Sequence, residues 1–304
     1  MRALVTGGAG FIGSSITRAL LARGDAVVVL DDFSTGRESN LSGLDGALSV
    51  ERGDIRDDAL VAKVCSGVDA VFHQAAMPSV AASIDDPLAC DAINVRGTLG
   101  LLETARKTGV RRVVFAASAA AYGDDPELPK LESMRPAPLS PYAVSKVAGE
   151  NYMRVYAELY GMQTLSLRYF NVFGPRQDPG SPYSGVISVF VDRALSGARP
   201  TVFGDGEQSR DFVYVGNVVQ ANLLAGTVSA AAGRSYNVGC GEKTTLNELL
   251  AVLGRILGQH ASAEYADARP GDIRESIANV QRARDELGYA PDVGLEEGLR
   301  RLAG

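Results

Sequence analysis

The sequence predicts an α/β fold, a doubly wound parallel sheet followed by a smaller C-terminal α/β region. Three observations carry this expectation. Short apolar runs alternate with longer periodic segments through the first half, the pattern of repeated strand-helix-strand units. A glycine-rich turn, Thr6-Gly7-Gly8-Ala9-Gly10-Phe11-Ile12-Gly13, separates the first apolar run from the first periodic segment. After Arg168 the rhythm breaks into Gly, Pro and Asp clusters over 171–185, 197–210 and 266–272.

Taken in order, strands are expected at Ala3–Val5, Ala26–Leu30, Leu48–Arg52, Ala70–Gln74, Arg112–Ala117 and Gln163–Arg168, each a short apolar run bounded by turn residues. Helices fall between them near Ile12–Arg23, Asp57–Cys65, Pro87–Thr108 and Pro141–Tyr160. The last has Ser140 as N-cap and Pro141 at the first helical position, where a missing N–H costs nothing. Beyond Arg168, helical segments are expected near Val186–Ser196, Val215–Val228, Leu246–Leu257 and Val280–Leu287. The composition shift places a boundary near 170: residues 1–170 form one part, to which segments near 211–238 are expected to return, and 171–304 form mainly a smaller substrate-holding region. No Ser/Gly linker marks the boundary, so the two parts are expected to share one interface.

Bulk properties exclude several classes. With 46% hydrophobic and 22% charged residues in 304, the chain can bury a sizeable core. A formal net charge of -6 provides no global positive field for nucleic acid or an anionic membrane. No run of ~18 apolar residues could span a bilayer. Cys65, Cys90 and Cys240 are three, widely spaced and without a C-x-x-C pair, so neither a disulfide framework nor a metal site is suggested and a reducing cytoplasm fits best.

The glycine-rich turn satisfies two spacings: Gly8, Gly10 and Gly13 give G-x-G-x-x-G, and Gly7, Gly10 and Gly13 give G-x-x-G-x-x-G. Glycine permits the tight turn, lets the backbone approach a pyrophosphate, and leaves the phosphates at the positive end of the helix. The second strand ends in Asp31-Asp32, about 20 residues on, where a carboxylate can accept from a ribose hydroxyl. That favours NAD, because a carboxylate there repels a 2′-phosphate, although nearby Arg37 keeps NADP open. Asp54 and Ile55 offer a carboxylate and an apolar face to adenine; they read equally as a turn acid and a core isoleucine.

Tyr142 and Lys146 are four apart on an expected helix, so they share one face. Alone, such a pair is usually a packed tyrosine beside a solvated lysine. Here it opens the helix that follows Ser118, which ends a strand at the sheet edge where doubly wound folds bind ligands. An ammonium beside a phenol stabilises the phenolate, Ser118 can bond the same substrate oxygen, and hydride can leave the carbinol carbon for a nicotinamide.

At this point the chain resembles the extended short-chain dehydrogenase/reductases and, within them, the UDP-hexose type of nucleotide-sugar 4-epimerase. The resemblance runs over essentially the whole length. It rests on Thr6–Gly13, Asp31, Gly53-Asp54-Ile55, His73-Gln74-Ala75-Ala76, Asn94, Ser118 followed by Tyr122-Gly123, Ser140-Pro141-Tyr142-Ala143-Val144-Ser145-Lys146, Arg168-Tyr169-Phe170-Asn171-Val172-Phe173-Gly174-Pro175, and Gly204-Asp205-Gly206 leading to Ser209-Arg210-Asp211-Phe212. It implies a Rossmann domain that keeps NAD through turnover, oxidation of the sugar at C4, rotation of the ketone and return of hydride to its other face. Tyr142 is then the base, Lys146 its electrostatic partner and a ribose ligand, and Ser118 the proton relay. Gly7, Gly10, Phe11, Ile12, Gly13, Asp31, Asp32, Asp54, Ile55, Gln74, Ala75, Ala76, Asn94 and Tyr169 join Tyr142 and Lys146 around NAD. Asn171, Phe203, Arg210, Arg269, Asp272 and Ser276 join Ser118 around a UDP-sugar, and a homodimer forms through the Pro87–Thr108 and Pro141–Tyr160 helices.

The chain departs from the family pattern at Ala116 and Ala117, where epimerases often carry further serines. Ala119 and Ala120 stand where related dehydratases and decarboxylases have acidic residues, which removes the acid that elimination needs. Ser276 falls where family members restricted to unmodified hexoses often have a tyrosine, so room is expected for an N-acetyl group at C2; otherwise Ser276 simply starts a strand or helix. A UDP-glucuronate 4-epimerase and a nucleotide-sugar reductase or dehydratase remain as alternatives, and a catalytically silent NAD-binding scaffold is disfavoured by the intact Ser118, Tyr142 and Lys146.

Overall fold

The apolar runs of the first half become six of the strands of one seven-stranded sheet. A computed structural model describes residues 1–178, 185–229, 232–258, 263–268 and 273–303. In chain order the first half comprises β1 (Arg2–Thr6), α1 (Phe11–Ala22), β2 (Ala26–Asp31), β3 (Leu48–Arg52), α2 (Asp58–Cys65), β4 (Ala70–His73), α3 (Val80–Asp85), α4 (Pro87–Asp91), α5 (Thr98–Lys107), β5 (Arg112–Ser118), α6 (Pro141–Tyr160) and β6 (Gln163–Tyr169). The second half comprises β7 (Asn171–Phe173), α7 (Val186–Leu195), β8 (Thr201–Phe203), β9 (Ser209–Arg210), β10 (Phe212–Tyr214), α8 (Val215–Ala225), β11 (Arg234–Val238), β12 (Thr244–Thr245), α9 (Leu246–Leu257), β13 (Glu264–Ala266), α10 (Gln281–Leu287) and α11 (Leu295–Ala303).

The sheet order is β11-β6-β5-β4-β1-β2-β3, with every pairing parallel. Val5 of β1 lies between Val29 of β2 and Phe72 of β4. Chain order reverses direction between β1 and β4, which opens a crevice at the carboxyl ends of these strands. Helices cover both faces, so the central strands read as continuous apolar runs. One buried layer joins Ile16 and Leu20 of α1 to Val218 and Ala221 of α8. The opposite layer joins Val61 of α2, Leu101 and Leu102 of α5 and Met153 of α6. A third cluster, with Phe190, Val202, Phe212, Leu249 and Leu299, forms the core of the C-terminal region.

The structure departs from the sequence expectations in identifiable places. The expected helix Pro87–Thr108 runs as α4, a π-helical turn over Ala92–Gly97, and α5. Such turns frequently mark functional positions, and this one carries Asn94. The six-residue α3 and the two- and three-residue strands β7–β10, β12 and β13 are too short for periodicity to show. The missed α11 carries Gly298 in mid-helix, a poor helix former in isolation; the glycine is needed because a Cβ there would lie 2.7 Å from Phe173 Cζ. Among the described residues no helix is long and apolar enough to cross a membrane.

The N-terminus of α6 forms as its sequence predicts: Ser140 Oγ accepts from the Ala143 N–H at 3.2 Å, and Gly161 closes the helix in the left-handed region. Gly149, midway along it, faces the Phe115 ring, where a Cβ would come within 2.4 Å of Cζ. Overpacking a core costs about 1–3 kcal/mol, which outweighs the ~1 kcal/mol helix gain from glycine to alanine. Gly149→Ala should therefore lower the melting temperature by several degrees in a calorimetric scan; an unchanged or higher value would show that Phe115 is free to move aside.

Candidate active site

Two glycine contacts shape the first wall. Gly7, at φ +67°, donates its N–H to Leu30 O at 2.8 Å, and a Cβ on it would lie 2.7 Å from Ala75 N. A Cβ on Gly13 would meet Gly7 O at 2.0 Å, so the first turn of α1 is laid directly on the turn after β1. Gly10 caps α1 without a side chain to accept from the first-turn N–H groups, and no acidic residue occupies that turn. A close backbone cradle ending in an open, positively polarised helix end fits the pyrophosphate of a dinucleotide.

Asp31 is buried, and its two oxygens hold the adjoining loops: one accepts from the Ala9 N–H and the other from the Phe33 N–H, each at 2.8 Å. Desolvation pushes its carboxyl above the usual value despite these bonds. Asp32 accepts from the Ser34 N–H at 2.9 Å and the Ser34 hydroxyl at 2.7 Å. Asp54 is bonded by Arg56, which lowers its carboxyl below the usual range, while Ile55 is buried in the core. Gln74, Tyr169 and Asn222 form one buried polar cluster: the Tyr169 hydroxyl bonds Gln74 Oε1 at 3.3 Å, and Asn222 Nδ2 donates to that hydroxyl at 2.8 Å. Asn222 was not singled out from sequence, because its partners come from the residue after β4 and from β6.

The second wall is built by the end of β5 and the start of α6. Ser118 Oγ accepts from the Ala120 N–H at 3.1 Å and lies near enough to the Tyr142 hydroxyl to pull its phenol towards ionisation. Lys146 is buried, donates to Ala116 O at 2.8 Å, and places its Nζ 5.7 Å from the Tyr142 ring centre. Asn94 accepts from the Met77 N–H at 2.7 Å, and its Nδ2 donates to Met77 O at 3.1 Å and to Ser145 Oγ at 3.0 Å. The π-turn thus ties the segment after β4 to the first turns of α6.

The electrostatics correct one sequence expectation. In the protein by itself the Tyr142 phenol is pushed up by desolvation, with the nearby Ser118 hydroxyl pulling the other way, because the ammonium lies over the ring and bonds Ala116 O. Desolvation also lowers Lys146, to about 8. His73 beneath them, held between Thr6 and Thr98 hydroxyls at 2.8 and 2.9 Å, is lowered to about 3 by burial first and Lys146 second, and is neutral.

A cavity of about 440 Å³ brings Ser118, Tyr142, Asn171, Arg210 and Ser276 together, along with Phe11, Ile12 and Tyr169. Phe203, on β8, does not line it. Arg269 and Asp272 lie outside the described residues. Gln177, Lys130 and Glu275 also line the cavity and were not singled out. Gln177 stands two residues beyond the Phe173-Gly174-Pro175 motif, which was its only local signal. Lys130 had none, since its placement depends on backbone bonds with Ile277 and Asn279 at 2.8 and 2.9 Å.

Comparison with known proteins gives this site its relatives. The chain is 42% identical over 305 residues, 99% of its length and 97% of the relative's, to a UDP-glucose 4-epimerase of Mycolicibacterium smegmatis. It superposes with TM-score 0.95 and 38% identity, over 99% of this chain and 96% of the other, on a UDP-N-acetylglucosamine 4-epimerase from Methanobrevibacter ruminantium in complex with UDP-N-acetylmuramic acid. A Thermus thermophilus UDP-glucose 4-epimerase in complex with NAD superposes with TM-score 0.89 and 41% identity, over 100% and 98% of the two chains. Residues 3–239 match the family's own sequence signature, and the chain belongs to the NAD dependent epimerase/dehydratase family.

Proposed function

We propose that this protein is an NAD-dependent UDP-sugar 4-epimerase, acting on UDP-glucose and UDP-galactose and on their N-acetylated counterparts. One observation carries the reading: the Ser118–Tyr142 hydroxyl pair opens into the cavity that Asn171, Arg210 and Ser276 also line, beside the glycine cradle. Full-length relatives with this activity, at 38–42% identity, support it. Residues 1–170, with segments near 211–238 returning, would bind the coenzyme and 171–304 mainly the nucleotide sugar; pairing of β11 with β6 supports that division.

In this reading Gly7, Gly10, Gly13 and the α1 N-terminus hold the pyrophosphate, Asp31 and Asp32 face the adenosine ribose, and Gln74, Tyr169 and Asn94 support the nicotinamide end. NAD held there would supply a reversible hydride acceptor for the sugar's C4. Tyr142 takes the 4-hydroxyl proton and returns it, Ser118 orients the same oxygen, and Lys146 holds a buried positive charge over the Tyr142 ring. Arg210 offers a guanidinium to the diphosphate, the local cation that an acidic protein needs there. Ser276 leaves space beside C2. A second reading, a UDP-glucuronate 4-epimerase, is favoured by the buried Lys130 in the cavity wall, a cation suited to a sugar carboxylate.

The exposed apolar side chains Ile84 on α3, Leu88 on α4 and Val144 on α6 support a homodimer through these neighbouring helices. The unpaired Cys65, Cys90 and Cys240 support a cytoplasmic location.

Separate incubation with UDP-galactose, UDP-N-acetylgalactosamine and UDP-galacturonate, with products resolved chromatographically, tests the assignment. Epimers of the first two without net formation of NADH are expected; stoichiometric NADH would replace the epimerase with a dehydrogenase. Tyr142→Phe should reduce turnover by about 10²–10⁴-fold with UDP affinity nearly intact, and near-normal turnover would remove Tyr142 from its role. Ser276→Tyr should depress kcat/KM for the N-acetylated sugar by ~10-fold or more relative to the plain hexose; equal losses would reject the space-making role. Ile84→Glu combined with Leu88→Glu should convert a dimer to monomer in sedimentation velocity, whereas an unaltered dimer would place its interface elsewhere.

A further inference from the structure

Behind the Tyr142–Lys146 pair lies a buried ion pair that the proposed reaction does not yet use. Glu150 stands one helical turn beyond Lys146 on α6 and is 8% exposed. Arg168 of β6, 4% exposed, grips it in bidentate fashion, Nε to Oε1 at 2.8 Å and Nη2 to Oε2 at 2.7 Å. Ser235 on β11 donates to the same Oε2 at 3.2 Å, and the Arg168 guanidinium lies 4.8 Å from the Tyr122 ring, which lines the cavity. Removing water from two charges is expensive, and such pairs are often replaceable by apolar residues without loss of stability. The placement therefore points to a role besides folding.

Resting on the epimerase reading, we propose that Glu150, oriented by Arg168, is a positioning residue that keeps the Lys146 ammonium charged inside the fold. The groups facing Lys146 can be enumerated. On its own helix are Tyr142 and Glu150; from α4 comes the Cys90 thiol, from β4 the neutral His73, and from β5 the Phe115 ring at 5.0 Å and the Ala116 carbonyl. Of these, Glu150 is the one carboxylate. Desolvation drives Lys146 down, and the neighbouring Cys90 and then the Glu150 carboxylate drive it up. Arg168 fixes where that charge sits, and its own positive charge works in the opposite sense on Lys146, which makes the two partners separable by experiment.

The sign follows directly. Lys146 acts as an ammonium, so activity falls as pH rises through its pKa, which lies at about 8. Glu150→Gln deletes the attraction and leaves Arg168 uncompensated, so the alkaline limb of the kcat profile should move to lower pH by about one unit, the usual scale for a nearby charge. Neutralising both in Glu150→Gln/Arg168→Met should give a limb between the two, and Glu150→Asp should restore most of the shift. If Glu150→Gln folds poorly, the neutral double variant carries the test: its limb must still lie below that of the parent. A limb at the parental pH in any folded variant lacking the carboxylate overturns the proposal. Tyr142→Phe run in parallel separates the two readings, since normal turnover there defeats the epimerase mechanism itself, whereas collapse there with an unmoved limb in the Glu150 variants defeats only the role of Glu150.

Discussion

The site depends on how closely α6 can approach β5. Gly149 lies against the Phe115 ring at a separation that no Cβ could share. One turn earlier, that proximity lets Lys146 Nζ reach the carbonyl of Ala116 at 2.8 Å, and another turn earlier it brings the Tyr142 hydroxyl to Ser118. A helix standing a side chain further out would leave the ammonium short of the strand and the phenol short of the serine. The opposite wall uses the same device, with Gly13 resting on Gly7 so that α1 begins at the strand end. Both walls meet at the carboxyl ends of the strands, where chain order reverses between β1 and β4.

This proximity has an electrostatic consequence. Burial disfavours charge on both members of the central pair, raising the phenol and lowering the ammonium to about 8. Starting from nearly equal values, the two shifts move the groups' proton affinities apart, so that in the protein by itself the phenol holds its proton more firmly than the ammonium does. The charges around the cavity are local ones: Arg210, Lys130 and Glu275 line it, and α1 presents an open N-terminus, in a chain whose formal net charge is -6. Overall charge governs what the whole surface attracts, whereas an anionic ligand responds to the few charges within a Debye length of it.

Much of the fold was legible because its signals are local. All six strands expected before residue 170 are present within one or two residues, as are the boundaries of α2, α6 and α9. Runs such as Val27-Val28-Val29-Leu30 can only be strands buried on both sides. The misses were short strands, a helix interrupted by Gly298, and a π-turn, whose cause is not in the local sequence. For the site, the motif residues Ser118, Tyr142 and Asn171 face one cavity with Arg210 and Ser276. Phe203 stands apart from it, because β8 pairs with β13 in a separate small sheet.

The sequence by itself determined the class of fold, the glycine cradle and the spacing of Tyr142 and Lys146 on one helical face, since each follows from periodicity or from backbone geometry within a few residues. Tertiary structure alone decided the rest. It set the direction in which Tyr142 titrates, seated Lys130 in the cavity wall, joined Asn222 to Gln74 and Tyr169, and placed Arg168 on Glu150. Desolvation and contacts between segments far apart in the chain arise only when strands and helices stack, so no local pattern of residue types could encode them.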